Sequence, residues 1–213
     1  MSSSWFSLGA GLARRAWLAG LCAGALAACG EEVSPAPPTR LAGEVSVSGA
    51  TTAPPQLRLA VVLEGQGGGA PPWEAASTPV AGRLPAAFSL VLPATPDAST
   101  LERRGGFAAA RGTFVLYVDE DSNGRLDLGL EPAAVPLEES CAGCGPRNPW
   151  LVVYLSGTPG DLGPCLGSVA LAQGYNVIRE EQGPPPDGGG ALPTTCTLVD
   201  RAAPLQLRFD RLP

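Results

Sequence analysis

Apolar and polar positions fall along this chain in short runs, each cut off by glycine or proline. Leu41–Ser48 sets Val45 and Val47 on one side, between Glu44, Ser46 and Ser48. Gln56–Glu64 opens with alternation at Leu57 and Leu59 and then turns wholly apolar, as a central strand does. Phe88–Leu92 is bounded by Pro85 and Pro93, while Thr113–Val118, Trp150–Ser156 and Asn176–Arg179 are β-branched or aromatic runs of strand length. Leu205–Leu212 alternates cleanly, with Leu205, Leu207 and Phe209 inward and Gln206, Arg208 and Asp210 outward. Together these runs predict about seven strands, with proline at their borders, where a missing N–H breaks no ladder. No segment keeps a helical period with caps at both ends. Leu101–Ala110 offers a turn or two of helix, interrupted by Gly105 and Gly106, and Gly65–Pro72 and Gly183–Pro193 read as loops. The expected fold is all-β, an antiparallel β-sandwich, immunoglobulin-like or transthyretin-like in outline.

The first 29 residues follow another pattern. Met1 to Arg15 carries two arginines and no acid, Ala16 to Ala28 is an unbroken Ala/Leu/Gly-rich run, and Leu26-Ala27-Ala28-Cys29 closes it. The apolar run is too short for a permanent membrane span, which takes about 20 residues. This three-part order resembles a bacterial lipoprotein signal ending in a lipobox. The resemblance implies that residues 1–28 are removed and that Cys29 takes a covalent lipid. Arg14-Arg15 also resembles a twin-arginine export signal, although the general secretory route accounts for it equally well. Residues 29–40, rich in proline and charge, read as a tether, partly polyproline II in character. Residues 41–213 then form the sandwich domain. By resemblance to enterobacterial sorting rules, Gly30 in place of aspartate after the lipid cysteine implies the outer membrane. The expected location is the cell envelope, with the membrane as a partner through the anchor.

Charge and composition narrow the chemistry. The chain carries 14 basic and 20 acidic residues, a net charge of −6, and loss of Arg14 and Arg15 with the leader makes it more negative still. An acidic surface repels nucleic acid, which is excluded as a partner. Every basic residue is arginine and there is no histidine. Ser-His-Asp and Cys-His machinery, imidazole metal ligands and lysine Schiff-base chemistry are therefore ruled out. A pair of carboxylates could still serve a glycosidase, but no arrangement in the chain points to one. The expectation is a protein that is not an enzyme.

One stretch carries chemistry, Asp119-Glu120-Asp121-Ser122-Asn123-Gly124-Arg125-Leu126-Asp127. Oxygen donors stand at loop positions 1, 3, 5 and 9, glycine at 6 and an aliphatic residue at 8, matching the first nine positions of an EF-hand calcium loop. A hard cation needs six to eight oxygens, and alternate side chains on a tightly wrapped chain supply them. The candidate ligands are Asp119, Asp121, Asn123, the carbonyl of Arg125, Asp127 and Glu131. Gly124 permits the bend, and Leu126 is expected to tuck inward and pin the loop. Position 12, normally a bidentate glutamate, is Leu130, with Glu131 one residue later, and a strand precedes the loop where an EF-hand has a helix. The stretch is more similar to the calcium loops of Gram-positive adhesin B repeats and dockerin-like modules. The competing reading is a plain hairpin turned at Asn123-Gly124, which leaves the crowding of acids unexplained. Calcium is the expected cofactor, in a structural role.

Apart from Cys22 in the leader and Cys29, the cysteines are Cys141, Cys144, Cys165 and Cys196. An even number in an exported chain predicts two disulfides, with three pairings open. Cys141 and Cys144 form a C-x-x-C, but Pro146 and Pro149 follow at once, where a redox site places a helix. A four-cysteine zinc site would need Cys165 and Cys196 as single distant ligands, an unusual spacing. The chain as a whole resembles lipoproteins of high-GC Gram-negative bacteria that pair a lipobox with a small β-sandwich. The expected role is structure or interaction at the envelope. Two alternatives stand beside it, a surface that binds a carbohydrate or an envelope protein, and a thiol oxidoreductase using the C-x-x-C.

Overall fold

A computed structural model describes residues 37–64, 71–104, 106–127, 129–139, 146–158, 160, 162–183 and 193–213, all within a unit spanning Ala36–Pro213. The predicted leader, Cys29, most of the tether, Cys141 and Cys144 lie outside the described residues, as does most of both glycine-rich loops. The strands in chain order are β1 (Thr39–Val47), β2 (Leu57–Leu63), β3 (Trp73–Pro79), β4 (Ala86–Leu92), β5 (Glu102–Arg104), β6 (Phe107–Val118), β7 (Ala133–Ala134), β8 (Glu138–Glu139), β9 (Pro146–Arg147), β10 (Trp150–Gly157), β11 (Gly174–Gln182), β12 (Thr194–Val199) and β13 (Leu205–Phe209). Two short 3₁₀ turns, Ala98–Thr100 and Leu166–Ser168, are the only helical segments among the described residues.

Two sheets form the sandwich. The smaller runs β13-β1-β4 and the larger β12-β11-β10-β6-β2-β3, with β5 and β7 added against β6. Each predicted run falls on a strand, though Leu205–Leu212 extends past β13, which ends at Phe209. Among the described strands the sandwich is antiparallel except that β1, antiparallel to β4, runs parallel to β13. That parallel contact explains a glycine. At Gly43 a Cβ would lie 2.0 Å from the carbonyl oxygen of Leu205, so only hydrogen allows β13 to start there. The first strand begins at Thr39, so the last two tether positions already belong to the sheet. The turn of helix expected over Leu101–Ala110 is instead a β5–β6 pairing that sets Glu102 opposite Ala109.

Side-chain parity builds the core. Leu41, Val45 and Val47 of β1, Phe88, Leu90 and Leu92 of β4, and Leu205, Leu207 and Phe209 of β13 face Leu57, Leu59, Val61, Leu63, Phe114, Leu116, Val152 and Val177 of the larger sheet. Full burial of each such side chain contributes about 1.5–3 kcal/mol. The larger sheet is also covered on its other face, which is why β2 from Leu59 and β10 from Trp150 to Leu155 read as apolar runs. There Ala60, Val62, Val115 and Tyr117 pack with Leu126, and Val153 and Ile178 pack with Leu166 and Cys196. The second of these patches is fastened by a disulfide between Cys165 and Cys196, 31 residues apart. With both sulfurs bonded to each other, neither is free to ligate zinc.

Candidate metal centre

The acidic loop leaves the end of β6 at Asp119 and returns at β7, where Ala134 and Ala133 pair with Leu116 and Tyr117. The amide of Val118 donates to the carbonyl of Pro132 (3.4 Å), and that of Asp119 donates to the carbonyl of Gln56 (3.1 Å). The connection is thus a closed excursion of the sheet, longer than the two-residue hairpin that Asn123-Gly124 alone would turn. Ser122 and Gly124 take positive φ of 60° and 78°, the second without strain because it lacks a Cβ.

Inside the loop, side-chain oxygens cap backbone amides. Asp119 Oδ2 accepts from Gly124 N–H (2.9 Å), Asp121 Oδ1 from Asn123 N–H (3.0 Å) and Asn123 Oδ1 from Arg125 N–H (2.7 Å). Glu131 bridges the two ends, with Oε1 accepting from Glu120 N–H and Oε2 from Asp127 N–H, both at 3.0 Å. Carboxylate oxygens of Asp119, Asp121 and Glu131 consequently lie within 4.8 Å of one another. Two oxygens bound to one calcium at 2.3–2.6 Å can be at most about 5 Å apart, so the three fit a single ion.

The decisive atom is Asp119 Oδ1. Asp119 is 4% exposed, and this oxygen is buried with no hydrogen-bond partner. A buried carboxylate oxygen left bare costs several kcal/mol of lost hydration unless a cation or donor reaches it. Oxygen donors of this hardness suit calcium or magnesium rather than a soft metal.

The other predicted ligands sit around this trio. Asn123 Nδ2 donates to Asp121 Oδ2 (2.9 Å) and to Asp127 Oδ2 (3.1 Å), so Asp127 stands one group away, as position 9 does when it acts through water. Arg125 is exposed on the turn. Leu130 at position 12 is 82% exposed and contributes no donor, while Glu131 occupies the closing position.

Beneath the loop lies a polar web that sequence reasoning missed. Leu126, 7% exposed, packs on Ala60, Val62, Val115 and Tyr117, and its N–H donates to Glu74 Oε2 (2.7 Å). Tyr117 O–H also donates to Glu74 Oε2 (3.3 Å), and burial pushes its pKa up to about 12, so it remains a donor throughout the neutral range. Arg58 donates from Nε to the Tyr117 oxygen (3.1 Å) and from Nη2 to Ser77 Oγ (3.0 Å), and Ser77 donates to the carbonyl of Gly124 (3.1 Å). The one signal for this web in the sequence was Arg58 itself, a charge set between leucines in an apolar strand. Along the loop's flank a groove of about 500 Å³ is lined by Pro72, Trp73, Glu74, Arg125, Leu126 and Asp127. No family model, curated protein or solved structure matches this chain.

Proposed function

We propose that this chain is a lipid-anchored protein of the cell envelope whose β-sandwich is stabilised by calcium in the loop 119–131, with a structural or interaction role and no catalysis. The observation that carries the calcium reading is the bare, buried Oδ1 of Asp119, a carboxylate that clusters with those of Asp121 and Glu131. The lipobox ending at Cys29 supports the anchor, and the Cys165–Cys196 disulfide fits an oxidising compartment. Absence of histidine and lysine supports the non-catalytic part.

Without a glutamate at position 12, calcium should bind in the range typical of extracellular modules, with Kd ~10⁻⁴–10⁻³ M. At about 10 mM calcium such a site adds roughly 1.4–2.7 kcal/mol of stability. The test is thermal melting of the intact chain in calcium and in chelator. A rise of several degrees with calcium supports the reading, and coincident curves sink it. Labelling with a fatty-acid probe, with Cys29→Ser as the control, tests the anchor. The groove beside the loop favours a second reading, a recognition surface for a glycan or an envelope protein. Binding on a glycan array that calcium strengthens would support that reading.

A further inference from the structure

We infer that Arg58 is a built-in competitor for the cation of the acidic loop and holds that site's affinity low. The inference rests on the calcium reading and adds its regulation. Arg58 sits on β2 between Leu57 and Leu59, whose side chains enter the main core, so its own projects to the opposite face, toward the loop. Its bonds to Tyr117 and Ser77 fix the guanidinium, and Tyr117 and Ser77 are themselves held by Glu74 and the Gly124 carbonyl. Nε then lies 3.9 Å from Asp119 Oδ2, with the two side chains only 20% and 5% exposed. The opposite oxygen of the same carboxylate is the bare one.

Asp119 would therefore serve two positive partners, Arg58 near Oδ2 and the ion at the bare Oδ1. A divalent ion arriving at Oδ1 meets a carboxylate already partly neutralised and a fixed like charge close by, both poorly screened by water. Without the ion, Arg58 offsets part of the repulsion among Asp119, Asp121 and Glu131, which favours the loop's shape. The site then fills and empties as ambient calcium changes, instead of staying permanently occupied.

The experiment is calorimetric titration of calcium into the intact wild-type chain and into Arg58→Gln and Arg58→Lys. Loss of the charge in Arg58→Gln should tighten binding roughly tenfold, about 1.4 kcal/mol, while Arg58→Lys stays near wild type. A merely structural arginine would weaken binding when replaced, so a folded Arg58→Gln with unchanged or weaker affinity overturns the inference. Should that variant not fold, the wild type decides by NMR. The Arg58 Nε–H resonance must shift along the same calcium isotherm as the loop amides, and an unmoved resonance at saturation refutes the competition. A wild-type chain that binds no calcium defeats the cation site itself. Binding without tightening in the variant defeats only the role of Arg58.

Discussion

Replacing Asp119 by asparagine should stabilise the calcium-free domain and abolish its response to calcium. The side-chain oxygen that accepts from Gly124 N–H is retained in the amide. The bare Oδ1 becomes an uncharged NH₂ group, and the negative charge within 4.8 Å of the carboxylates of Asp121 and Glu131 is lost. At that separation each carboxylate pair repels by about 3.5 kcal/mol at an effective dielectric constant of ~20. Asp121 is exposed and Glu131 half-buried, so water screens much of this. Against the gain stands the lost attraction to Arg58 at 3.9 Å, about 4 kcal/mol before similar screening. Two repulsions and a bare buried oxygen are removed for one attraction lost, leaving a net gain of about 1 kcal/mol. For a domain of this size that raises Tm by roughly 2–4 °C in chelator. In calcium the order should reverse, because on the proposed reading the wild type gains the ion and the variant does not. Differential scanning calorimetry of both proteins in both media reads the crossing directly. A variant that melts below the wild type in chelator, or that still shifts with calcium, would refute the account of Asp119.

Leu126→Ala removes the apolar pin under the loop and should cost about 2–3 kcal/mol, with weaker calcium binding, measurable by urea unfolding with and without calcium. Cys165→Ser with Cys196→Ser opens a 31-residue separation, and the loop-entropy relation predicts a loss of about 3–4 kcal/mol, near 10 °C in Tm. The same fall should follow reduction of the wild type. Burial raises the pKa of Tyr117 to about 12 and that of Tyr175 further. The folded state therefore keeps protons that the unfolded chain loses above about pH 10, so stability is full below that pH and falls as pH rises past it. Tyrosinate absorbance should show both phenols ionising only as the domain unfolds, and early ionisation in the folded protein would contradict their burial.

The strands legible in the sequence were those that bury a full side-chain face. Leu205, Leu207 and Phe209 alternate because β13 has one face on the core, and β2 is apolar from Leu59 onward because Ala60 and Val62 meet the loop's Leu126 on the far side. The two strands of five or more residues that escaped notice, β3 and β12, form the ends of the larger sheet. Trp73–Pro79 shows only half-buried and exposed positions, and Thr194–Val199 buries Cys196 alone, so neither writes a period into its residues. Hydrogen bonding to a neighbour, which any sequence can supply, holds such edges in place.

The same division runs through the candidate metal centre. The three carboxylates that come together, Asp119, Asp121 and Glu131, were legible because a wrapped loop brings side chains together by local spacing. Closure by Glu131 follows from Asp127, whose carbonyl accepts from both Leu130 N–H and Glu131 N–H (2.9 and 3.1 Å) and turns the chain so that the later side chain points inward. The supporting web was illegible for the opposite reason. Glu74, Ser77 and Arg58 come from strands 40 or more residues away in the chain, and their roles exist only once β3, β2 and β6 lie side by side. An arginine inside an apolar strand signals a buried counter-charge, yet the identity of that charge is a property of sheet register. Asp119 becomes its partner because Leu57 pairs with Val118, which brings the first loop residue level with the start of β2.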